Sequence, residues 1–243
     1  MKENKKWVLI NESCENMIHV GHQSVDIIIS SITFNVGLIY GKHQDKKPFE
    51  QYTRFMKKVV RECFNVLKSD GIMIIEVADT VVSDGYYVQL ASMIQSLCLE
   101  TGFHLFGRHM NFLNSENFIE YQNDGFDQFR KNVDQDGIHS NSVQWLIFKK
   151  EPTQFQGGNL HYIKYPNNHA NDDQTKHPCP FTKEIIDKLL ELSGFIAGQT
   201  VLDPFAGTAR LGQEVIKRGG QYIGYEIDEY TYRKAKTDLK KIL

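Results

Sequence analysis

Cysteine is scarce. The four present, Cys14, Cys63, Cys98 and Cys179, are too few for a disulfide framework in 243 residues and form no Cys-x-x-Cys pair, so they read as ordinary thiols of a reducing compartment. Long apolar runs are missing: no stretch approaches the roughly 20 residues of a membrane-spanning helix, and the opening MKENKKWVLI lacks the apolar centre of an export signal. A soluble, cytoplasmic protein without a membrane partner is expected. An excess of one charge is missing as well, because 28 basic and 30 acidic residues leave a net charge of -2. That excludes a strongly basic nucleic-acid coat but permits a local basic groove. The nine histidines have no metal-ligand spacing, so no metal is expected. Gly-x-Gly-x-x-Gly and Gly-Lys-Ser/Thr are both absent, which argues against a pyrophosphate-bearing ligand. What is present is globular: 41% hydrophobic and 24% charged residues exclude disorder, and the length suffices to bury one substantial core.

Strand and helix signals alternate along the chain. Lys6 to Ile10 reads as a short strand, and Val25 to Ser30 (VDIIIS) is a continuous apolar run of the kind buried on both faces of a parallel sheet. Phe49 to Leu67 places Tyr52, Phe55, Met56, Val59, Val60, Cys63 and Leu67 at helical spacing. Ser69-Asp70-Gly71 is expected to stop that helix before a strand over Gly71 to Val77. A second helix is expected over Tyr86 to Thr101, with Tyr87, Leu90, Met93, Ile94, Leu97 and Cys98 on one stripe, followed by a short strand from Phe103 to Phe106. Arg108 to Ser142 mixes Asn, Asp, Gln and aromatics without a period and reads as loops, a small insertion or a flexible segment. Val143 to Lys149 returns to strand, and Asn159 to Lys176 is a polar linker inside the domain. Thr182 caps a helix reaching Leu192, with Ile185, Ile186, Leu189 and Leu190 facing inward. Strand Gln199 to Asp203, helix Ala209 to Arg218, strand Gln221 to Glu226 and a basic amphipathic helix from Tyr230 to Leu243 complete the order. Such alternation predicts an α/β doubly wound sheet, because parallel strands need crossover helices.

The most informative element is a strand, the turn Asp203-Pro204-Phe205-Ala206-Gly207-Thr208, a helix, and a second strand ending in Glu226. In a βαβ unit a small-residue turn lets a ligand approach the backbone, and an acidic group closing the next strand accepts hydrogen bonds from ribose hydroxyls. An adenosine-bearing cofactor fits; the bland alternative is a Pro-Gly turn with a solvent-facing carboxylate. Lys57, Lys58, Arg61, Lys217 and Arg218 read as solvated helix faces. Lys42, His43, Lys46 and Lys47 form either a phosphate clamp or a solvated loop. Glu76 is either a pocket carboxylate or an ordinary strand end, and Trp145 and Phe148 fit the core. His22, His43, His104, His109 and His139 receive no metal role.

The segments V-L-D-P-F-A-G-T (201–208), Y-I-G-Y-E-I-D (222–228) and H-P-C-P-F (177–181) resemble the S-adenosylmethionine motifs of DNA amino-methyltransferases, which modify exocyclic amines of adenine or cytosine. S-V-D-I-I-I-S-S-I-T-F-N-V-G (24–37) and R-E-C-F-N-V-L-K-S-D-G-I-M-I-I-E-V (61–77) resemble that family's catalytic strand and loop and the helix and strand after it. The resemblance implies a Rossmann-like, mostly parallel seven-stranded sheet in the circularly permuted order of the β group. It further implies a single domain over 1–243, with a catalytic half at 7–107, a small target-recognition region at 108–142 and a cofactor half at 177–243. S-adenosylmethionine is the implied cofactor, lined by His177, Pro178, Phe181, Asp203, Pro204, Phe205, Gly207 and Thr208, with Glu226 on the ribose. Ser31, Ile32, Thr33 and Phe34 match the catalytic tetrad, whose usual form is Asp/Asn/Ser-Pro-Pro-Tyr/Phe. In the family the first side chain and a loop carbonyl accept hydrogen bonds from the target amine, and the last aromatic stacks on the flipped base. Ser31 implies cytosine-N4 over adenine-N6. DNA is the implied partner, with a homodimer or partner subunit and a restriction-modification setting in view.

The centre of the tetrad departs from the family, since Ile32 and Thr33 replace both prolines. Prolines fix φ near -65° and restrict the residue before them, so the aim of the Ile32 carbonyl must come from packing. Two readings follow: an active DNA methyltransferase, or a catalytically impaired relative that binds cofactor or nucleic acid as a regulatory subunit. An enzyme acting on RNA or a free base is a third.

Overall fold

The apolar runs of the sequence become the inner strands of one sheet. The computed structural model describes residues 6–40, 43–112, 142–152 and 181–242. In chain order the elements are β1 (Trp7–Ile10), β2 (Val25–Ser31), β3 (Ile39–Tyr40), β4 (His43–Gln44), α1 (Phe49–Val66), β5 (Leu67–Ala78), β6 (Val81–Ser83) and β7 (Tyr86–Val88). They continue with α2 (Leu90–Thr101), β8 (His104–Phe112), β9 (Ser142–Lys149), α3 (Lys183–Leu192), β10 (Thr200–Asp203), α4 (Arg210–Lys217), β11 (Gln221–Tyr225) and α5 (Glu229–Lys240). Seven strands form a sheet in the order β1-β11-β10-β2-β5-β9-β8. Pairing is parallel from β1 through β5 and antiparallel where β9 meets β5 and β8. The mostly parallel seven-stranded α/β sheet expected from the sequence is therefore present. β1 joins the C-terminal half at one edge, with Trp7 opposite Tyr222.

The core follows the sequence stripes. Tyr52, Met56, Val59, Val60, Cys63 and Val66 are the buried face of α1, and Ile27, Ile28 and Ile29 of β2 are fully enclosed. Trp145 and Phe148 are buried in β9, as expected. Trp145 donates its indole N–H to Glu76 Oε1 at 3.0 Å, which satisfies its one polar atom inside the sheet. The Thr182 hydroxyl caps α3 by accepting the Ile185 N–H.

Three expectations are corrected. Helix α1 ends at Val66 rather than being stopped by Ser69-Asp70-Gly71, because Leu67 is already extended and opens β5. A register shift between Val25 opposite Leu67 and Ile27 opposite Ile72 absorbs the extra residues. Tyr86 and Tyr87 are not on the stripe of α2: they form β7, which pairs with β6 around Asp84 (φ 51°) and Gly85 (φ 80°). Left-handed conformations at both central residues are those of a type I′ hairpin turn, for which Asp-Gly is a preferred pair. Helix α2 begins only at Leu90. Finally, Arg108 to Phe112 belongs to β8, hydrogen-bonded along β9, so the supposed insertion cannot start at Arg108. Residues 113–141, and the linker over 159–176, lie outside the described residues.

Helix α4 packs on β10 and β11 through a close approach. A Cβ on Gly212 would stand 2.5 Å from the buried ring of Tyr222. Helix propensity favours alanine by about 1 kcal/mol, whereas overpacking a core costs about 1–3 kcal/mol. Gly212→Ala is therefore expected to lower the unfolding free energy by about 1 kcal/mol in a urea titration. A gain in stability would mean that α4 can withdraw from β11 at little cost.

Candidate active site

Because β2, β10 and β11 run parallel and lie together, their carboxyl ends open on one edge of the sheet, where ligands of open α/β sheets bind. A cleft there has a cavity volume of about 240 Å³. It brings together Ser31, Ile32, Thr33 and Phe34 from the end of β2 with Asp203, Pro204, Phe205, Gly207 and Thr208 from the turn after β10. Glu226, at the end of β11, and Phe181, just before α3, line the same cleft. His177 and Pro178 lie outside the described residues.

Two carboxyl groups organise the floor. Asp203 is buried, and its Oδ1 accepts the Ser30 hydroxyl at 2.6 Å and the Phe205 N–H at 3.1 Å. The same Ser30 oxygen accepts the Phe205 N–H at 3.3 Å. Glu226 accepts the Gly207 N–H on Oε2 at 2.9 Å and the Asp228 N–H on Oε1 at 2.7 Å. Gly207 has φ 50°, a left-handed conformation in which most side chains would be strained. Burial pushes Asp203 up to about 7, against the lowering effect of the bonds from Ser30 and Phe205. Burial likewise raises Glu226 to about 7, opposed by the N–H groups of Asp228 and Gly207. Both carboxyls thus sit near their protonation midpoint at neutral pH, and each retains lone pairs for a ligand.

Sequence reasoning missed several wall residues. The segment Glu12 to Glu15 after β1 lines the cleft, brought there by the pairing of β1 with β11. Leu38, Tyr40 and Asp45, in and beside the paired strands β3 and β4, line it too. Asp45 is held there by the N–H groups of Gly37 at 2.7 Å and Val36 at 3.4 Å. His43 and Lys47 of the basic loop reach the cleft, while Lys42 lies outside the described residues. Phe55 of α1 meets Phe205 edge to face at 6.1 Å between ring centres. Glu76 bonds to Trp145 instead of lining the cleft, and Lys57 and Lys58 pair with Glu100 and Glu15 on the surface. Cys14, Cys63 and Cys98 are free and buried. Among the described residues no cluster of His, Cys, Asp or Glu suits a metal ion, and no helix is long and apolar enough to cross a membrane.

Comparison with known proteins adds family and fold. The family described as DNA methylase, the N6/N4 methyltransferases, matches residues 25–237. The type II methyltransferase M.HpaI of Haemophilus parainfluenzae is 24% identical over 253 residues, covering 93% of this chain and 73% of its own. M.BglII of Bacillus subtilis is 20% identical, covering 94% and 67% respectively. M.MjaVI of Methanocaldococcus jannaschii is 28% identical over 95 residues, a match to 39% of this chain and about half (48%) of that relative's length. Among solved structures, the cytosine-N4-specific PvuII DNA methyltransferase superposes with a TM-score of 0.67 at 14% identity, covering 97% of this chain and 90% of its own. A Thermus thermophilus protein described as a DNA modification methylase, complexed with S-adenosyl-L-methionine, gives 0.65 at 19% identity, covering 97% and 95%. These two share the fold.

The raised carboxyls have a consequence for stability. Between about pH 4 and 7 the folded protein keeps protons on Asp203 and Glu226 that the unfolded chain has released. Their contribution is complete below the ordinary carboxylate range and is lost as pH rises through about 7. Each group contributes a slope of up to about 1.4 kcal/mol per pH unit. Urea titrations of the ligand-free protein at a series of pH values should show Asp203→Asn with Glu226→Gln flattening the decline in stability toward pH 7. An unchanged slope would place both carboxyls at ordinary values.

Proposed function

Because the chain belongs to the DNA methylase family of N6/N4 methyltransferases, we propose that it transfers a methyl group from S-adenosylmethionine to an exocyclic amine of a base in DNA, cytosine-N4 in preference to adenine-N6. The observation that carries this reading is the opening of the Ser31–Phe34 loop and the Asp203–Thr208 turn into one cleft.

The cofactor, when bound, supplies a methyl group already activated on a sulfonium, so the chain's part is positioning. Glu226 accepts ribose hydroxyls through the lone pairs left by its two backbone donors. Asp203 offers a buried carboxyl to the polar end of the cofactor, and the Gly207 backbone allows close contact. Phe181, Pro204, Phe205 and Thr208 line the pocket, and the family resemblance assigns His177 and Pro178 to the same cofactor. On the other side the Ser31 hydroxyl and the Ile32 carbonyl accept the two N–H bonds of the target amine and turn its lone pair toward the methyl group. Thr33 links these acceptors to Phe34, whose ring stacks on a base flipped out of the duplex. Ser31 in the first tetrad position is what favours cytosine.

We read the chain as one permuted domain, with the catalytic half first and target recognition between β8 and β9. A net charge of -2 gives weak general attraction to phosphate, which favours a second copy or a partner subunit on DNA. The absence of both tetrad prolines favours one second reading, a non-catalytic partner that binds cofactor or DNA.

Incubation with methyl-labelled S-adenosylmethionine and mixed-sequence genomic DNA, followed by hydrolysis to nucleosides, tests the proposal. N4-methylcytosine is the expected product. N6-methyladenine would move the base preference, and cofactor binding without any methylated nucleoside would overturn the enzyme in favour of the partner. Asp203→Ala is expected to abolish cofactor binding in equilibrium dialysis, and unchanged affinity would put the cofactor elsewhere. Phe34→Ala should spare cofactor affinity while weakening base engagement by about 1–3 kcal/mol, the usual worth of a base stacked on an aromatic ring.

A further inference from the structure

The Ser31–Phe34 loop has no proline, yet it is pinned on both sides of its central peptide. The Ile32 N–H donates to the Glu76 carbonyl at 3.3 Å, carrying the β2–β5 ladder one residue beyond the strand and fixing the peptide before Ile32. The Tyr52 hydroxyl donates to the Thr33 carbonyl at 2.6 Å, fixing the peptide after Thr33. Between them stands the Ile32–Thr33 peptide, which carries the Ile32 carbonyl. With both neighbours held, that peptide can turn only by opposed rotations at Ile32 ψ and Thr33 φ. The Ile32 side chain is buried at 3% exposure and Thr33 is β-branched, so both rotations are resisted.

Tyr52 is suited to this hold. It lies in the first turn of α1, its ring is fully buried, and Phe49 and Phe55 flank it at ring separations of 6.4 and 6.5 Å. Burial pushes its phenol well above the ordinary value, so the oxygen keeps its proton and remains a donor. The far end of the loop is fixed separately. Asn35, at φ 61°, accepts the Lys47 N–H at 2.7 Å and donates to the Lys47 carbonyl at 2.8 Å. These bonds close the 36–46 excursion without touching the Ile32–Thr33 peptide.

We propose that Tyr52 is a positioning residue that replaces the missing prolines: its hydrogen bond to the Thr33 carbonyl holds the loop in the conformation that aims the Ile32 carbonyl at the target amine. This rests on the function proposed above and adds to it the device that makes a proline-free tetrad competent. A proline fixes φ through its ring, whereas here the peptide is fixed through its carbonyl.

Tyr52→Phe keeps the ring and removes only the donor. Expected is a roughly tenfold fall in kcat for DNA methylation, a change within what misplacement of a reacting group produces, with KM for DNA and Kd for S-adenosylmethionine within twofold of wild type. Adding Thr33→Pro, which fixes φ at that position directly, should restore most of the lost kcat in the Tyr52→Phe background. A packing role would lower the melting temperature and would not be rescued by proline. Hydrogen exchange keeps the proposal testable should the double variant fail to fold: amides of residues 33–36 should exchange about tenfold faster in Tyr52→Phe, with those of β2 and β5 unchanged. Wild-type kcat in Tyr52→Phe, or unchanged exchange in the loop, would overturn the role of Tyr52 and leave the proposed function standing. A wild-type protein that binds cofactor but methylates no DNA would overturn the function, while the exchange result would still decide whether Tyr52 holds the loop.

Discussion

The parallel pairing of Val201 and Leu202 with Ile27 and Ile28 is the constraint on which the rest of the molecule depends. It is the seam between β2, which runs into the Ser31–Phe34 loop, and β10, which runs into the Asp203–Thr208 turn. Parallel strands deliver their carboxyl ends to the same edge, so this one register lays Ser31 to Phe34 beside Asp203 to Thr208 without any further fitting. Ser30 locks the seam where it matters. Its hydroxyl joins Asp203 across the boundary and takes the Phe205 N–H in return, which ties the floor of the cleft to the root of the Ser31–Phe34 loop.

The carboxyls of Asp203 and Glu226 are held against the cost of burial. Asp203 and Glu226 are each given donors from backbone or from Ser30, yet burial still outweighs those donors and leaves both near a midpoint of about 7. Such carboxyls can be fully ionised by a cationic ligand that replaces lost solvation. The loop beside them meets a different problem, since in the proposed function it presents acceptors to an amine without proline to fix φ. Its peptides are instead tied to two neighbours that are themselves rigid: strand β5 through Glu76, and the buried first turn of α1 through Tyr52. The same physical end, an immobile carbonyl, is reached by hydrogen bonds from outside the loop.

Much of this architecture was legible in the sequence because it rests on local chemistry. VDIIIS has the pattern of a doubly buried strand, and the small residues of the D-P-F-A-G-T turn allow a ligand close to the backbone. Where reading failed, the deciding interaction was either very short or very distant. Tyr86 and Tyr87 lie near enough to α2 to mimic its stripe, and only the Asp84-Gly85 pair signals a hairpin instead. Arg108 to Phe112 lacks an apolar alternation, and its strand character comes from β9, which follows much later in the chain. Ser30 finds Asp203 at a separation of 173 residues, and Tyr52 finds a backbone carbonyl that leaves no trace in residue identities. The roles of the cleft residues came from resemblance to a family. What bonds Ser30 and Tyr52 make required coordinates.

A crystal structure of the protein soaked with S-adenosylmethionine tests the central claim most directly. The ribose hydroxyls are expected within hydrogen-bond distance of Glu226, with the sulfonium methyl directed across the seam toward the Ser31–Phe34 loop. Cofactor bound away from Asp203 and Glu226, or seated there with its methyl group turned from that loop, would contradict it.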